Sequence, residues 1–330
     1  MATTKLSLLN SIRDFSKTHQ RVPHLLVSST GFCCKSISSS QGHGGSSPLV
    51  VLTNAFKEGE IVVSDGAEIE NLETTPSSSK HVLVIGGTGG VGQLVAASLL
   101  SKKIRSRLLV RDPPKAKSLF GEQDEEILEI WKGDTRNPDD LVPEIFEGVT
   151  HVICCTGTTA FPSKRWEGDN SPERVDWEGV RNLVSVLPPT LKRFVLVSSV
   201  GVTKCNELPW SIMNLFGVLK FKKMGEDFVC NSGVPFTIIR AGRLTDGPYT
   251  SYDLNTLLKA TAGQRRAVLL GQGDKLTGEV SRLVVAEACI QALDIKCTEG
   301  QIYEINSVEG DGPGKDSKCW SELFGAVQTQ

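Results

Sequence analysis

Short apolar runs alternate with amphipathic stretches along the chain from residue 81 onward. The first run, His81-Val82-Leu83-Val84-Ile85, ends in a glycine-rich turn, and helical spacing follows it. Further apolar runs predict strands at 108–110, 127–131, 151–155, 194–197 and 236–239. Helical periodicity lies between them, at about 90–102, 138–146, 172–187 and 212–232. This alternation predicts an α/β fold with a doubly wound parallel sheet, in a single domain with a small C-terminal substrate-side region.

The glycine-rich turn after the first predicted strand is the strongest candidate for chemistry. Its glycines fit the pattern G-x-x-G-x-x-G between a strand and a helix. The start of a helix offers unpaired N–H groups and a partial positive charge, which together hold a phosphate. A Cβ at the glycine positions would push the backbone away from a pyrophosphate. The turn therefore predicts a dinucleotide-binding site, with a ligand-free tight turn as the alternative; its residues are Gly86, Thr88, Gly89, Gly90, Val91 and Gly92.

The end of the second predicted strand bears on the choice between NAD and NADP. Arg111 stands at this strand end and Lys115 lies four residues later. An NAD site places an acidic side chain here for the ribose 2′-hydroxyl, whereas an NADP site needs cations for the 2′-phosphate. Asp112 argues for NAD, but it lies one place later and the prolines after it are expected to turn the chain away. The pattern favours NADP.

Small or polar residues follow the other predicted strands, at the sheet edge where ligands of such folds bind. After the third strand, Asp134 either meets the adenine or caps the turn before Pro138. Arg243, after the sixth strand, is expected to point towards a substrate, and 249–272 to form the variable substrate-side region. The remaining candidate cofactor residues at these strand ends are Thr135, Thr156, Gly157, Ser198, Arg240, Ala241 and Gly242.

Residues 1–50 differ in composition from the rest of the chain. They contain five Lys or Arg, one acidic residue (Asp14) and many Ser and Thr. This composition is typical of an organelle transit peptide, with a disordered tail as the alternative. The Met-Ala start and the hydroxyl-rich character favour the chloroplast stroma. Residues 51–79 are predicted to form a disordered linker, which leaves 80–330 as the dinucleotide-binding domain.

Composition excludes several classes of function. The chain has 330 residues and a net charge of −2, so no basic field indicates a nucleic-acid partner. No apolar run approaches the roughly 18 residues that span a bilayer. No C-x-x-C occurs, which argues against a zinc ribbon or thioredoxin-like chemistry. Outside the first 50 residues the histidines are His81 and His151, both expected at the opposite sheet edge, so neither a Ser-His hydrolase nor a His-ligated metal has candidates.

The chain resembles the atypical short-chain dehydrogenase/reductase superfamily, and within it the NmrA-like plant branch that includes sanguinarine-reductase-like proteins. The resemblance covers roughly 81–326. It implies the Rossmann fold and an NADP-linked role. The motifs that carry it are 86–92, Val110-Arg111-Asp112, Gly133-Asp134, Val197-Ser198-Ser199, 237–242 and 285–293.

The usual catalytic pair of the superfamily is missing from this sequence. Most members use a Tyr four residues before a Lys, which lowers the pKa of the phenol. No Tyr in this chain has a Lys four residues later. Aligning 223–226 with the family's Lys-Ala-x-x-Glu stretch puts Met224 in the Lys position and Lys220 in the Tyr position.

The resemblance implies other polar groups in the role of the missing Tyr. Ser199 and Thr203 are the matching residues after the fifth strand, and Lys223 is the third catalytic candidate. Each has a structural alternative: Ser199 is also suited to cap a turn, and the lysines are also suited to a solvated helix face.

Two hypotheses about function remain. The first is an NADPH-dependent reductase that transfers hydride to a small carbonyl, quinone or iminium compound. An iminium accepts hydride without needing a proton on oxygen, so the missing Tyr would matter little. The second is a non-catalytic NADP(H)-binding sensor or assembly factor that acts on a protein partner.

Overall fold

A nine-stranded sheet lies at the centre of the computed structural model, which describes residues 50–52, 80–121, 123–163, 166–245 and 266–328. Its strands are β1 (Val50–Leu52), β2 (His81–Ile85), β3 (Arg105–Val110), β4 (Leu128–Lys132), β5 (His151–Cys154), β6 (Arg193–Ser199), β7 (Phe236–Ala241), β9 (Ala267–Gly271) and β11 (Gln301–Val308). Two short strands, β8 (Arg243–Leu244) and β10 (Glu279–Val280), pair separately in parallel. The helices are α1 (Gly90–Ser101), α2 (Pro113–Phe120), α3 (Gly179–Ser185), α4 (Trp210–Met213), α5 (Val218–Asn231), α6 (Arg282–Gln291) and α7 (Ser317–Gln328).

The strand order is β1-β9-β11-β7-β6-β5-β2-β3-β4. All neighbouring pairs from β4 to β11 are parallel. At the other edge, β9 pairs antiparallel with β11, and β1 pairs antiparallel with β9. The order changes direction between β2 and β5, which is the point where doubly wound sheets bind their ligands. The predicted Rossmann-like α/β fold is confirmed.

Alternate side chains of the strands bury two apolar clusters, one on each face of the sheet. Val82 and Val84 of β2 face one cluster with α1, α6 and α7. Leu83 and Ile85 face the other cluster with α3 and α5. Because both faces are covered, the strands contain continuous apolar runs, which is why their positions were predictable from sequence.

Three predicted helices have different bounds in the structure. The stretch 138–146 forms two short 3₁₀ turns, Pro138–Asp140 and Pro143–Phe146, since a proline interrupts the backbone hydrogen bonds of a longer helix. Residues 212–232 divide into α4 and α5 at Gly217, whose φ of 80° is left-handed. The stretch 172–187 begins as a one-turn π-helix, Glu173–Glu178, before α3.

Some elements were not predicted from sequence. The prolines after Asp112 begin α2 instead of turning the chain away, because proline fits the first turn of a helix. In the C-terminal third, β9 and β11 join the main sheet and α7 covers it. The predicted leader 1–50 and linker 51–79 lie outside the described residues except for β1, and so do residues 246–265 of the substrate-side region.

Candidate functional site

The glycine turn joins β2 to α1 in a tightly packed conformation. Gly86 has a φ of +79°, and a Cβ there would lie 3.1 Å from the carbonyl carbon of Cys155 and from the Thr156 nitrogen. A Cβ on Gly92 would lie 2.1 Å from the Gly86 oxygen. The Gly89 N–H donates to that same oxygen at 2.9 Å. Only glycine fits at Gly86 and Gly92, which brings the start of α1 close against the strand end.

Gly89 is the N-cap of α1 and has no side chain to bond the first N–H groups of the helix. These backbone N–H groups of α1 therefore face the end of the sheet. Thr88 and Gly90 are half-exposed, whereas the Val91 side chain is buried in the core, so Val91 offers only its backbone. The buried Gln93 side chain donates from Nε2 to the Thr88 oxygen at 2.8 Å. This contact fixes the turn and was not predicted from sequence.

At the end of β3, Asp112 and Arg111 have separate roles. The Asp112 carboxylate accepts the Lys115 backbone N–H at 3.1 Å and thereby caps α2. Arg111 is exposed and donates to the side-chain oxygen of Asn170. Arg111 and Asp112 are both exposed at this strand end, and Lys115 stands in the first turn of α2.

Asp134, after β4, forms a side-chain pair with Arg136, whose Nη2 lies 2.6 Å from Oδ2. Burial raises the pKa of Asp134, but hydrogen bonds from the Arg136 side chain and backbone outweigh it and hold that pKa below its usual range. Arg136 also donates from Nη1 to the oxygens of Gly168 and Asp169, each at 2.7 Å. Thr135 is buried against Gly179 at the start of α3, which is a packing position.

A buried ion pair lies beside Gly157 at the end of β5. The Lys222 Nζ of α5 is 2.6 Å from the Asp176 Oδ1, with side-chain exposures of 13% and 1%. The backbone N–H and the hydroxyl of Thr158 both donate to the Asp176 Oδ2, the N–H at 3.2 Å. A Cβ on Gly157 would lie 2.9 Å from the Lys222 Nζ, so the missing side chain leaves room for the ammonium. Thr156 precedes this glycine, and its hydroxyl lies 3.2 Å from the Cys154 Sγ.

The lysine that lies beside Gly157 is Lys222, and the sequence candidate Lys223 lies elsewhere. Lys223, the sequence candidate, lies on the outer side of α5 and pairs there with Asp227 one turn later. Lys222 is one residue away, and 100° of helix rotation turns it towards the strand ends. Lys222 lies four residues before Glu226, so the two share a helix face. Glu226 is buried and forms an ion pair with Arg240 of β7.

After β6, the three candidate hydroxyls are placed differently. The Ser198 Oγ is buried and has no hydrogen-bond partner among the described residues, whereas Ser199 donates to the Val200 oxygen at 3.1 Å. Thr203 donates from its hydroxyl to the Asp274 Oδ2 at 2.6 Å.

Asp274 holds the loop after β6 in place. Its carboxylate accepts the N–H groups of Gly201 at 2.6 Å and Thr203 at 2.9 Å. Burial raises the pKa of Asp274, but the hydrogen bonds from Thr203 and Gly201 outweigh it and keep that pKa below its usual range. No pattern in the sequence indicates this residue, which lies 71 positions after Thr203.

The end of β7 is mainly structural. Arg240 is buried and its Nη2 lies 2.7 Å from the Glu226 Oε2. A Cβ on Gly242 would lie 2.1 Å from the Asn306 Oδ1, so this glycine permits close packing of β7 against β11. Ala241 is buried in the core. Arg243 is 72% exposed and pairs with Glu279 at 2.8 Å.

These features fit a nicotinamide dinucleotide. The turn that Gly86 and Gly92 allow to pack against the strand end, the unpartnered buried hydroxyl of Ser198 and the cation of Arg111 all stand at the carboxyl edge of the sheet. A metal site has no comparable support, since the described residues contain no group of three His, Cys, Asp or Glu placed to hold an ion. None of the described helices is long and apolar enough to cross a membrane.

Comparisons with known proteins agree with this geometry. An uncharacterised chloroplastic protein of Arabidopsis thaliana is 31% identical over 76% of this chain and 76% of its own length. Sanguinarine reductase of Eschscholzia californica is 30% identical over 77% of this chain and 98% of its own. Protein TIC 62 of Arabidopsis thaliana is 32% identical over 63% of this chain, which corresponds to one third (33%) of that longer protein.

A comparison with solved structures shows the same fold. A putative NAD-dependent epimerase/dehydratase from Bacillus halodurans superposes with a TM-score of 0.56 at 20% identity, over 76% of this chain and all (100%) of the other. A family described as NAD(P)H-binding matches residues 86–296. The chain therefore belongs to this NAD(P)H-binding family of Rossmann-fold proteins, as its resemblance to the atypical short-chain dehydrogenase/reductase superfamily implied.

Proposed function

We propose that this protein is an NADPH-dependent reductase that transfers hydride to a small carbonyl, quinone or iminium compound. The observation that carries the proposal is the Lys222–Asp176 pair beside Gly157, at the sheet edge that also carries the glycine cradle. A buried ammonium at this position is a proton donor and a source of positive charge for a developing oxyanion. Sequence similarity to sanguinarine reductase supports a reductase activity.

The choice of NADP rests on the end of β3. Asp112 caps α2 by accepting the Lys115 N–H at Oδ1, so a helix-cap role accounts for this acidic residue without a ribose 2′-hydroxyl. Arg111 presents a guanidinium there, which suits a 2′-phosphate through paired charge-assisted hydrogen bonds. Lys115, in the first turn of α2, adds a second cation. In this proposal the glycine turn holds the diphosphate, and Asp134 lies on the adenosine side.

Bound NADPH supplies the hydride for the carbon of the acceptor. For a carbonyl acceptor, Lys222 Nζ donates the proton to the oxygen as the carbon–oxygen double bond becomes a single bond. The Asp176 carboxylate orients the Nζ of Lys222, and Lys222 regains its proton from solvent because its side chain is 13% exposed. Ser199 and Thr203 donate their hydroxyl protons to the Val200 oxygen and to Asp274, so they shape the loop beside the acceptor, and Lys222 is the proton donor. An iminium acceptor takes the hydride alone, without the proton step.

The test of this proposal is NADPH oxidation, followed at 340 nm, with a panel of carbonyl, quinone and iminium compounds. We expect turnover with at least one member, and faster turnover with NADPH than with NADH. Tight NADPH binding with no turnover across the panel would reject the reductase and leave the second candidate.

The second candidate is a non-catalytic NADP(H) sensor or assembly factor with a protein partner. Two observations favour it: no Tyr-x-x-x-Lys pair exists, and the chain is 32% identical to the matching third of protein TIC 62. A sensor requires a partner whose affinity differs between the NADP and NADPH forms. The experiment is a pull-down from chloroplast extract with each form, and equal recovery of partners would count against the sensor.

We also propose the chloroplast stroma as the location, with residues 1–50 as a transit peptide. The composition of that segment and the chloroplastic relatives support it. Import of the radiolabelled full-length chain into isolated chloroplasts tests it. A shortened, protease-protected product in the soluble fraction is expected, whereas an unprocessed, protease-sensitive chain would contradict it.

A further inference from the structure

The side chain of Asn170 gives the exposed Arg111 a fixed partner at the end of β3. The Asn170 Oδ1 accepts a hydrogen bond from the Arg111 Nη1, and the Asn170 Nδ2 donates to the Glu167 oxygen. An amide has one acceptor end and one donor end, and these two bonds agree on which end faces the guanidinium. An exposed arginine that lacks such a partner is spread over many rotamers. The Asn170 amide therefore gives the Arg111 guanidinium a preferred position.

The turn that carries Asn170 is itself anchored by other residues. The Asn170 N–H donates to the Trp166 oxygen at 3.1 Å. Arg136 donates from Nη1 to the two backbone oxygens that precede Asn170, each at 2.7 Å. The Arg174 Nε lies 3.0 Å from the Asp169 Oδ2. The position of Asn170 is therefore set by the segments after β4 and before α3, and Arg111 bonds to a group that is already in place.

The contact orients Arg111 without neutralising its charge, because the partner is an uncharged amide. The carboxylates of this region have bonds of their own, from the Lys115 N–H to Asp112, from Arg136 to Asp134 and from Arg174 to Asp169. The guanidinium has further N–H groups beside the one that bonds Asn170. Those groups, held in one orientation, suit the paired contacts that a phosphate makes.

We propose that Asn170 is a positioning residue for cofactor specificity, which holds the Arg111 guanidinium where the 2′-phosphate of NADPH binds. This inference rests on the proposed NADPH site and adds to it a residue 59 positions after Arg111. NADH carries no 2′-phosphate, so Asn170 contributes to the binding of NADPH and not to that of NADH. A merely structural role in the turn would affect both dinucleotides alike.

The test is a double-mutant cycle on the dissociation constants for NADPH and NADH, with wild type, Asn170→Ala, Arg111→Ala and the double variant. Losing the preferred position of one long side chain weakens binding by about 3- to 10-fold. We expect Asn170→Ala to weaken NADPH by this factor and to leave NADH within twofold. In the Arg111→Ala background, Asn170→Ala should change neither constant by more than twofold, because the side chain that it positions is gone.

Asn170→Asp is a second variant of nearly the same shape. It keeps an acceptor oxygen for Arg111 but places a negative charge beside the guanidinium, where it competes with the phosphate. It should weaken NADPH more than Asn170→Ala does, and NADH again by no more than twofold. A matched control is Asn231→Ala, which removes an exposed amide that donates to the Asp227 oxygen at 2.7 Å in the last turn of α5. This control should leave both constants unchanged.

Thermal unfolding of each variant shows whether it folds. Equal weakening of NADPH and NADH by Asn170→Ala, the same loss of NADPH with and without Arg111, or no loss at all would each reject the positioning role. A different result marks failure of the proposed function: the wild type then binds both dinucleotides equally or neither of them, or Arg111→Ala leaves NADPH binding unchanged.

Discussion

The ammonium of Lys222 lies 2.6 Å from the carboxylate of Asp176, and both side chains are almost entirely removed from solvent. The two residues come from different elements, α5 and the π-helical turn before α3. One-turn π-helices are frequent at functional sites because they re-aim a side chain without ending the helix. Here the turn carries the Asp176 carboxylate to the end of β5, beside Gly157.

The two neighbouring lysines of α5 provide a matched pair of variants. Lys222→Met should lower kcat for a carbonyl acceptor by about 100-fold or more, the usual size of a proton-donor effect. Lys223→Met removes a surface ion pair with Asp227 and should leave kcat within twofold. Steady-state NADPH oxidation measures both. Equal effects of the two substitutions would show that Lys222 has no special role.

The same ion pair predicts an effect on stability. Asp176→Leu leaves a buried ammonium without its carboxylate and should lower the free energy of unfolding by about 3–5 kcal/mol. Adding Lys222→Met to that variant removes the unpaired charge and should restore most of the loss. Urea unfolding of the two single variants and the double variant measures this coupling. Additive losses in the double variant would contradict a close pair.

Arg111 should control the preference between the two nicotinamide dinucleotides. Arg111→Gln is expected to weaken NADPH binding by about 10- to 100-fold, since it removes a charge-assisted phosphate contact. NADH has no 2′-phosphate, so its dissociation constant should stay within twofold. Titration calorimetry with both dinucleotides measures the ratio. An equal loss for NADH would place Arg111 elsewhere than at the 2′-phosphate.

Two buried histidines predict a loss of stability in mild acid. Burial lowers the pKa of His81 to about 4, helped by Arg107, and burial lowers the pKa of His151 to about 4, helped by Lys80. In the unfolded chain both imidazoles gain a proton near pH 6.5. As the pH falls from 6.5 to 4, the unfolded state therefore binds protons that the folded state does not bind. The free energy of unfolding decreases by up to about 3 kcal/mol for each histidine.

Urea unfolding at pH 7 and pH 4.5 measures this decrease. His81→Gln should reduce the difference between the two pH values by about half, since one of the two titrating groups is gone. An unchanged difference would mean that carboxylates, rather than His81, control the acid sensitivity.

The parts of the molecule that the sequence predicts well are those that depend on neighbouring residues. The strands β2 to β7 are apolar because both faces of the sheet are covered, and the glycine turn lies within seven consecutive residues. Arg111 directly follows β3 and Asp134 lies two positions after the end of β4, so both could be named as candidates from the sequence. In each case one short stretch contains the whole signal.

The rest of the candidate site depends on contacts between distant parts of the chain. Lys222 and Lys223 differ by one position, and the choice between them depends on Asp176, 46 residues earlier. The position of the Thr203 hydroxyl depends on Asp274, 71 residues later, and the need for glycine at Gly90 depends on the side chain of Arg282. A local sequence pattern does not indicate contacts between residues so far apart in the chain. The helix α2 was missed for another reason: Asp112 and the prolines after it suit a turn as well as a helix start.

The proposed reductase activity requires hydride to pass from the cofactor to an acceptor at the Lys222 end of the site. The most direct test is a single turnover with NADPH deuterated on one face of C4, using a carbonyl or iminium acceptor, whose reduced carbon keeps the transferred deuterium, and mass spectrometry of the product. We predict one deuterium in the product with one of the two labelled cofactors and none with the other, at a rate that Lys222→Met lowers. Product without deuterium from either cofactor would contradict the claim.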